Sequence, residues 1–296
     1  MATATRMATA TRMTGKRIPE AKPVITATTK QLIETTSADE RVERFGLFGE
    51  FSLDLAATPE QRLICWRLVH EEYLAKGYVR DDESGLRYSE HDALPGTGTF
   101  LVRKGDDPIG AISVFPDSPL GLPADELYRD EIACLRAQGR TVAEIGRLSV
   151  SARYVGDRKI VLNMIDVAHI YARSVLKADN VVITVNPTHR SFYERMMLFD
   201  LIGAKKPFGS LCGALAVLLR MDLARQRELI RQARGESPDP ARRMRRTVYR
   251  GFRDAAEEER FAACVRKLRC PLPPAFLRSY FRGTAACALD SLELSN

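Results

Sequence analysis

The sequence predicts a mixed α/β fold: a mixed central sheet flanked by helices, followed by a helical C-terminal extension. Three observations carry that expectation. Short β-branched runs alternate with segments of 3.6-residue apolar periodicity. A hairpin with the turn residues KGDDP lies among them. A strand, a glycine turn and a long helix succeed one another in EIGRLSVSARYVGDRK, residues 144–159, as a parallel crossover requires.

In chain order, residues 1–44 carry no such pattern and are expected to be unstructured. MATATRMATATRM is a six-residue duplication, poor in acids, with Met7 and Met13 as alternative starts. FGLFGEFSLDLA alternates near 45–56 and predicts a first strand. PEQRLICWRLVHEEYLAKGY follows as an amphipathic helix, with Pro59 in its first turn and Leu63, Trp66, Arg67, His70 and Leu74 at helical spacing. After the polar loop RDDESGLRYSEHDALPG, the stretch GTFLVRKGDDPIGAISVF forms the hairpin. DSPLGLPADELYRDEIACLRAQGR is a Pro- and Gly-punctuated loop entering a helix, with Leu127, Ile132 and Leu135 on its apolar side and Gly139 at its end. The strand carrying EIGR comes next, then DRKIVLNMIDVAHIYARSVLKADN, apolar at 160, 161, 164, 165, 168, 171, 172 and 175. NVVITVNP reads as a strand, THRSFYERMM as a helix capped by Thr188, and GALAVLLRMDL as the last core strand. Beyond about 222 the chain is helical and charged, with PLPP at 271–274 as an interruption. The division is therefore an N-terminal segment 1–44, a folded domain 45–223 and a basic helical extension 224–296.

Composition narrows the function. Six cysteines without C-x-x-C spacing and four scattered histidines give no zinc-ligand pattern, so no metal is expected, and the cysteines read as reduced thiols of a cytoplasmic protein. No run reaches the ~20 apolar residues of a membrane span, so no transmembrane segment is expected. A net charge of +7 favours an acidic partner such as nucleic acid, a membrane surface or an acidic carrier protein. Much of the excess lies in ARRMRRTVYRGFR, 241–253, where a solvated helix face is the plainer reading. No zinc finger, aromatic RNP motif or helix-turn-helix pattern accompanies it, which argues against nucleic acid.

The charged pair in EIGR is the feature that asks for an explanation. An ionised side chain in an apolar strand loses roughly several kcal/mol of hydration unless it is paired or functional. Glu144 and Arg147, three residues apart, point to opposite faces of a regular strand. Gly146 between them predicts a bulge that turns both to one side and re-aims backbone donors at a ligand. The two then either form a structural ion pair or handle a substrate. Downstream, R-Y-V-G-D-R at 153–158 puts backbone N–H groups and a helix dipole at a strand-to-helix turn, an anion site suited to phosphate. His189 has no Ser or Cys partner in a recognisable motif and reads as a helix-start residue, while Asn186 and Pro187 shape the exit of a strand.

The turn at 153–158 resembles the acyl-CoA-binding turn of the GNAT acyltransferase superfamily, R/Q-x-x-G-x-G/A. Arg153 and Gly156 match, whereas Arg158 replaces the last small residue, which argues against ordinary acetyl-CoA seating. EIGR matches the E-x-x-R of acyl-homoserine-lactone synthases, which share the GNAT fold and take acyl groups from acyl carrier protein. DSPLGLPADELY (117–128), LRAQGRTVAEIGRLSV (135–150) and NPTHRSFYERMMLFDLIG (186–203) more closely resemble the long-chain N-acyl amino acid synthases of the FeeM type, from about Arg62 to Leu223.

The resemblance implies a GNAT-like sheet and an N-acyltransferase. Its substrates are a long-chain fatty acyl group on an acyl carrier protein thioester, or acyl-CoA, and the amino group of an amino acid, with no cofactor. It further implies Glu144 as candidate base, directly or through water, and Arg147 or Arg67 as the grip on the amino-acid carboxylate. Tyr193 stands where many GNAT enzymes keep a tyrosine that protonates the leaving thiolate. The pantetheine arm is expected along Val150 and Ser151, in the gap where a parallel neighbour splays from this strand, with Arg153, Gly156, Arg158 and Lys159 at its phosphate. An acidic carrier protein gives the basic balance a use. The alternatives are a homoserine-lactone synthase acting on S-adenosylmethionine, an exosortase-associated acyltransferase and a non-catalytic basic binding module.

Overall fold

The computed structural model describes residues 46–236, 246–268 and 271–281. The expectations for residues 1–44 and for the first residues of the basic run at 241 lie outside them. The stretch read as one strand is two: β1 (Gly46–Phe48) and β2 (Phe51–Leu55) turn on Gly49, whose φ of +68° suits glycine. Helix α1 (Pro59–Ala75) begins in a capping box between Thr58 and Gln61, with Pro59 in its first turn. Its buried side holds Trp66 and His70 as expected, but Leu74 is exposed and Arg62 is buried. Arg62 donates to the carbonyls of Ala56 (2.8 Å) and Thr97 (2.8 Å) and to Thr99 Oγ1 (2.6 Å), so all of its reach is spent joining α1 to the sheet.

The hairpin β3 (Gly98–Lys104) and β4 (Asp107–Pro116) precedes α2 (Asp125–Ala137) and β5 (Val142–Val150). Helix α3 (Arg158–Ile170), prolonged by a π-helical turn at Tyr171–Val175, crosses to β6 (Asn180–Val185). Helix α4 (Arg190–Met196) follows a 3-10 turn whose cap is Asn186 rather than Thr188: Asn186 Oδ1 accepts from Thr188 N at 3.0 Å and Thr188 Oγ1 at 2.8 Å. Next comes a strand the periodicity does not reveal, β7 (Asp200–Phe208), and then β8 (Ala214–Asp222). β7 lies at the sheet edge, its pairing with β8 shifts register twice, and Lys205, Lys206 and Pro207 are the charged and ring residues that keep edges from pairing further. Helices α5 (Leu223–Arg234), α6 (Ala255–Leu268) and α7 (Pro274–Tyr280) make the extension.

The sheet runs β1-β2-β3-β4-β5-β6-β8-β7. Every pair is antiparallel except β5 and β6, which the α3 crossover joins in parallel. That parallel ladder is short. It runs from Val142 opposite Asn180 to Glu144 opposite Val182, while β5 stays with β4 to Val150 and β6 stays with β8 to Val185. The two strands therefore part beyond Glu144, leaving a gap in the middle of the sheet. One face packs α1 and α2 through Leu101, Ala111, Tyr128, Val182 and Leu218. The other packs α3 and the extension through Phe100, Ile145, Met164, Leu219, Phe261 and Val265. The extension thus contributes to the main core.

Candidate active site

The site is set by an irregularity in β5. Phe115, Val114 and Ser113 of β4 face Glu144, Ile145 and Gly146 in turn, but Ala111 faces Ser149, so β5 carries one residue more than β4 across Arg147–Leu148. The bulge expected at Gly146 therefore sits one residue further on, and Arg147 itself adopts the left-handed conformation, at φ +54°. The result is the expected one for direction. The Arg147 guanidinium lies 5.2 Å over the ring of Phe115, the cross-strand partner of Glu144, so both charged residues project on the α1/α2 face.

They do not pair with each other. Arg147 Nη1 lies 2.6 Å from Asp92 Oδ2, and the same guanidinium donates to Ser89 Oγ (2.8 Å) and to the Arg87 carbonyl (3.2 Å). Asp92 is fixed from its other sides by Trp66 Nε1 (3.2 Å) and Ser89 N (2.7 Å). The ion pair anticipated within EIGR is thus replaced by one to the loop after α1. Arg147 anchors that loop against β5.

Glu144 instead accepts a 2.7 Å hydrogen bond from the backbone N–H of Ala124, at the start of α2. The loop DSPLGLPADELY that carries this N–H is braced from within. Arg136 on α2 forks onto Asp117 (2.7 and 2.8 Å) and Asp125 (2.8 and 2.6 Å), Asp125 also accepts from Leu122 N, and Gly121 turns the loop at φ +74°. A Cβ on Gly121 would meet an Asp125 oxygen at 2.7 Å, so only glycine fits. Burial pushes the Glu144 carboxyl up to about 8, against the pull of the Ala124 N–H and the Arg147 charge. A carboxyl so tuned exchanges protons near neutrality.

Residues that the sequence reading passed over complete this face. Tyr73 of α1 is raised by burial, lowered by Arg147 and Arg87 and raised by Glu144, so its hydroxyl shares their surroundings. Its ring meets Tyr78 edge-on at 5.7 Å, and the Tyr78 hydroxyl accepts from Asn186 Nδ2 (3.4 Å) at the exit of β6. His91 stands edge-on to Phe115 at 6.2 Å, and burial lowers its pKa against the charge of Asp92. All but Asn186 sit on α1 or in a polar stretch without periodicity, and only closure of the loop onto β5 brings them together.

The other expected residues divide between two places. Tyr193 on α4 packs edge-on against Phe192 (5.2 Å) and Phe199 (5.7 Å), on the core of the α3 face, and burial pushes its hydroxyl up to about 12. Val150 ends β5 and Ser151 follows it. Ser151 N already donates to the Ile109 carbonyl (2.8 Å) and its carbonyl accepts from Tyr154 N (2.7 Å). Arg153, Gly156, Arg158 and Lys159 are exposed around the start of α3. The Asp157 carboxylate there takes the Lys159 N–H at 2.9 Å, and Gly156 has neither a positive φ nor a crowded Cβ direction. Arg67 is half-buried on α1, where its charge acts on Glu71, whereas the charges acting on Glu144 are those of Arg147 and Asp125.

The family model described as N-acyl amino acid synthase FeeM matches residues 64–222, over half of the chain, from α1 to the end of β8. The chain belongs to the FeeM family. It is accordingly an acyltransferase, and the bulged strand, Glu144 and the loop locked by Arg136 all lie within the matched stretch. The structure of FeeM, an N-acyl amino acid synthase from uncultured soil microbes, aligns at 24% identity and a TM-score of 0.53 over 60% of this chain and 93% of its own. The AHL synthase LasI aligns at 12% and 0.44, covering 60% and 91% of the two chains, and an N-acetyltransferase from Staphylococcus aureus at 16% and 0.41, covering 60% and 99%. No curated protein matches the chain. The fold is GNAT-like, and among the described residues no helix is long and apolar enough to cross a membrane. Helices α5–α7 follow the FeeM-matched stretch and lie outside it.

Proposed function

We propose that this FeeM-family enzyme transfers a long-chain acyl group from acyl carrier protein to the amino group of an amino acid. The observation that carries the reading is the Glu144 carboxyl, buried at the point where β5 and β6 part and tuned to about 8. In the proposed reaction the acyl thioester enters the gap between the strands. The amine nitrogen attacks the thioester carbonyl, the C–S bond breaks as the C–N bond forms, and the amine proton passes to Glu144. Tyr193, held protonated by burial, is the candidate donor to the leaving thiolate. Arg147, already engaged by Asp92 and Ser89, acts by positioning the loop that faces Glu144. The donor is itself an activated thioester, so the reaction as written draws on no cofactor. The enzyme works beside its carrier in the cytoplasm.

The purified protein, given carrier loaded with a long acyl chain, a mixture of amino acids and S-adenosylmethionine, is expected to yield N-acyl amino acids by mass spectrometry. A lactone product, or none, would overturn the reading. Exposed Arg153, Arg158 and Lys159 support a docking surface for an acidic carrier near the gap. Reversing charge at Arg158 and Lys159 is expected to raise KM for the carrier while the rate at saturating carrier largely survives. Added salt should act alike, since exposed charges are screened over about 8 Å at physiological ionic strength. Steady-state kinetics against carrier concentration check both.

A further inference from the structure

A cleft of about 300 Å³ opens between α1, the loop after it and the turn joining β7 to β8, lined by His70, Arg80, Asp81, Arg87, Ser210 and Cys212 among others. Two of its side chains hold unused polar capacity. His70 is 4% exposed, and its Nε2 is buried without a hydrogen-bond partner; Asp81 Oδ1, at 3.7 Å, is too distant to supply one. A buried polar atom left in that state costs free energy unless something completes it. Arg87, half-buried, makes one side-chain hydrogen bond among the described residues, to the Ser210 carbonyl at 3.4 Å, from a guanidinium with five N–H donors. Its charge is in part withdrawn from water, which strengthens its attraction for an anion.

Both walls of the cleft are tied to the reaction centre. The Arg87 carbonyl accepts from Arg147, and the Arg87 charge acts with Glu144 on the Tyr73 hydroxyl. Opposite, Ser210 N donates to Glu126 Oε1 (3.1 Å), two residues along from Ala124, whose N–H holds Glu144. The cleft and Glu144 are thus linked on one side through the loop after α1 and on the other through the start of α2.

We propose that this cleft seats the acceptor amino acid, with its carboxylate on Arg87 and an uncharged polar side-chain group on His70 Nε2. This deepens the N-acyltransferase reading and rests on it. Arg87, rather than Arg67 or Arg147, then grips the carboxylate, because the Arg147 guanidinium is already filled by Asp92, Ser89 and the Arg87 carbonyl. Asp81 and Asp82 at the rim disfavour acidic side chains. A site with a buried hydrogen-bonding group discriminates against an analogue lacking the matching group far more strongly than an apolar pocket senses one methylene.

The test uses the full-length enzyme and dodecanoyl carrier protein, with kcat/KM measured for the near-isosteric pairs threonine and valine, and tyrosine and phenylalanine. The parent enzyme is expected to favour the hydroxylated member by about tenfold or more in the pair whose length spans Arg87 and His70. His70→Leu should collapse that ratio toward one, and His70→Gln, which keeps a donor and an acceptor, should restore part of it. Arg87→Gln should raise KM for amino acids by about tenfold or more and narrow the preference for tyrosine over tyramine, which lacks the carboxylate. Thermal melts establish that each variant is folded. Equal acylation of the two members of both pairs by the parent, or an unchanged tyrosine-to-tyramine ratio in Arg87→Gln, would overturn the subsite while leaving the N-acyltransferase reading intact. Failure to acylate any amino acid would overturn that reading and the subsite together.

Discussion

Replacing Glu144 with glutamine is expected to lower kcat by about 10²- to 10⁴-fold, the usual contribution of a positioned general base. The amide keeps the shape of the side chain and, with its carbonyl oxygen toward Ala124, can still accept that N–H, so the loop before α2 stays in place. What is lost is the proton acceptor. The carboxyl, raised by burial to about 8, is largely protonated at neutral pH and becomes competent as pH rises through that value. The parent enzyme should therefore show kcat/KM ascending through about pH 8, and Glu144→Gln should lose that limb. The amine of the acceptor also titrates in the alkaline range, and its contribution is common to both enzymes, so the difference between the two profiles isolates the carboxyl. Coincident profiles and equal rates would return Glu144 to the purely structural task of holding Ala124.

The largest expected effect on stability comes from the extension. Glu258 on α6 is buried and receives two hydrogen bonds from Arg173 (2.9 and 2.6 Å), one from Arg227 (3.1 Å) and one from Ser174. The π-helical turn after α3 supplies both Arg173 and Ser174, and Arg173 also donates to Gln226 on α5 at 2.9 Å, so three helices meet on one carboxylate. Removing one partner of a buried pair strands the other charge, which typically costs about 3–5 kcal/mol. Glu258→Ala should lose that much in urea unfolding and melt on the order of 10 °C lower.

Acid should act on the same group. Burial alone would raise the Glu258 carboxyl, but the hydrogen bonds and charge of Arg173, with Ser174 and Arg227, outweigh it and hold the group at about 2, below the 4.5 of an unfolded glutamate. The stability it contributes is present above about 4.5 and is lost as pH falls toward 2. The parent should therefore lose stability more steeply than Glu258→Ala across that window. Parallel pH dependences in chemical denaturation would show that the carboxylate contributes nothing there.

Several parts of this protein follow from its sequence taken alone. Local periodicity is enough for α2, α3, β4 and β6, because each buries one stripe or run against a neighbour and its pattern repeats within a dozen residues. The crossover at 144–159 and the EIGR motif were legible for the same reason, since strand, turn and helix are contiguous. β7 was not, because an edge strand with exposed lysines and two register shifts leaves no alternation to read. Nor could the sequence say which partner Arg147 takes. Asp92 and Ser89 reach it only when a loop more than fifty residues upstream folds back over β5, and Gly146 drew attention to a bulge that the chain places at Arg147. The cleft of His70 and Arg87 has the same origin, in α1, its following loop and the turn after β7, which are distant in sequence. Hydrophobic pattern is a property of neighbours along the chain, whereas ion-pair choice, burial of a carboxyl and the walls of a cleft are properties of neighbours in space, and only tertiary closure decides those.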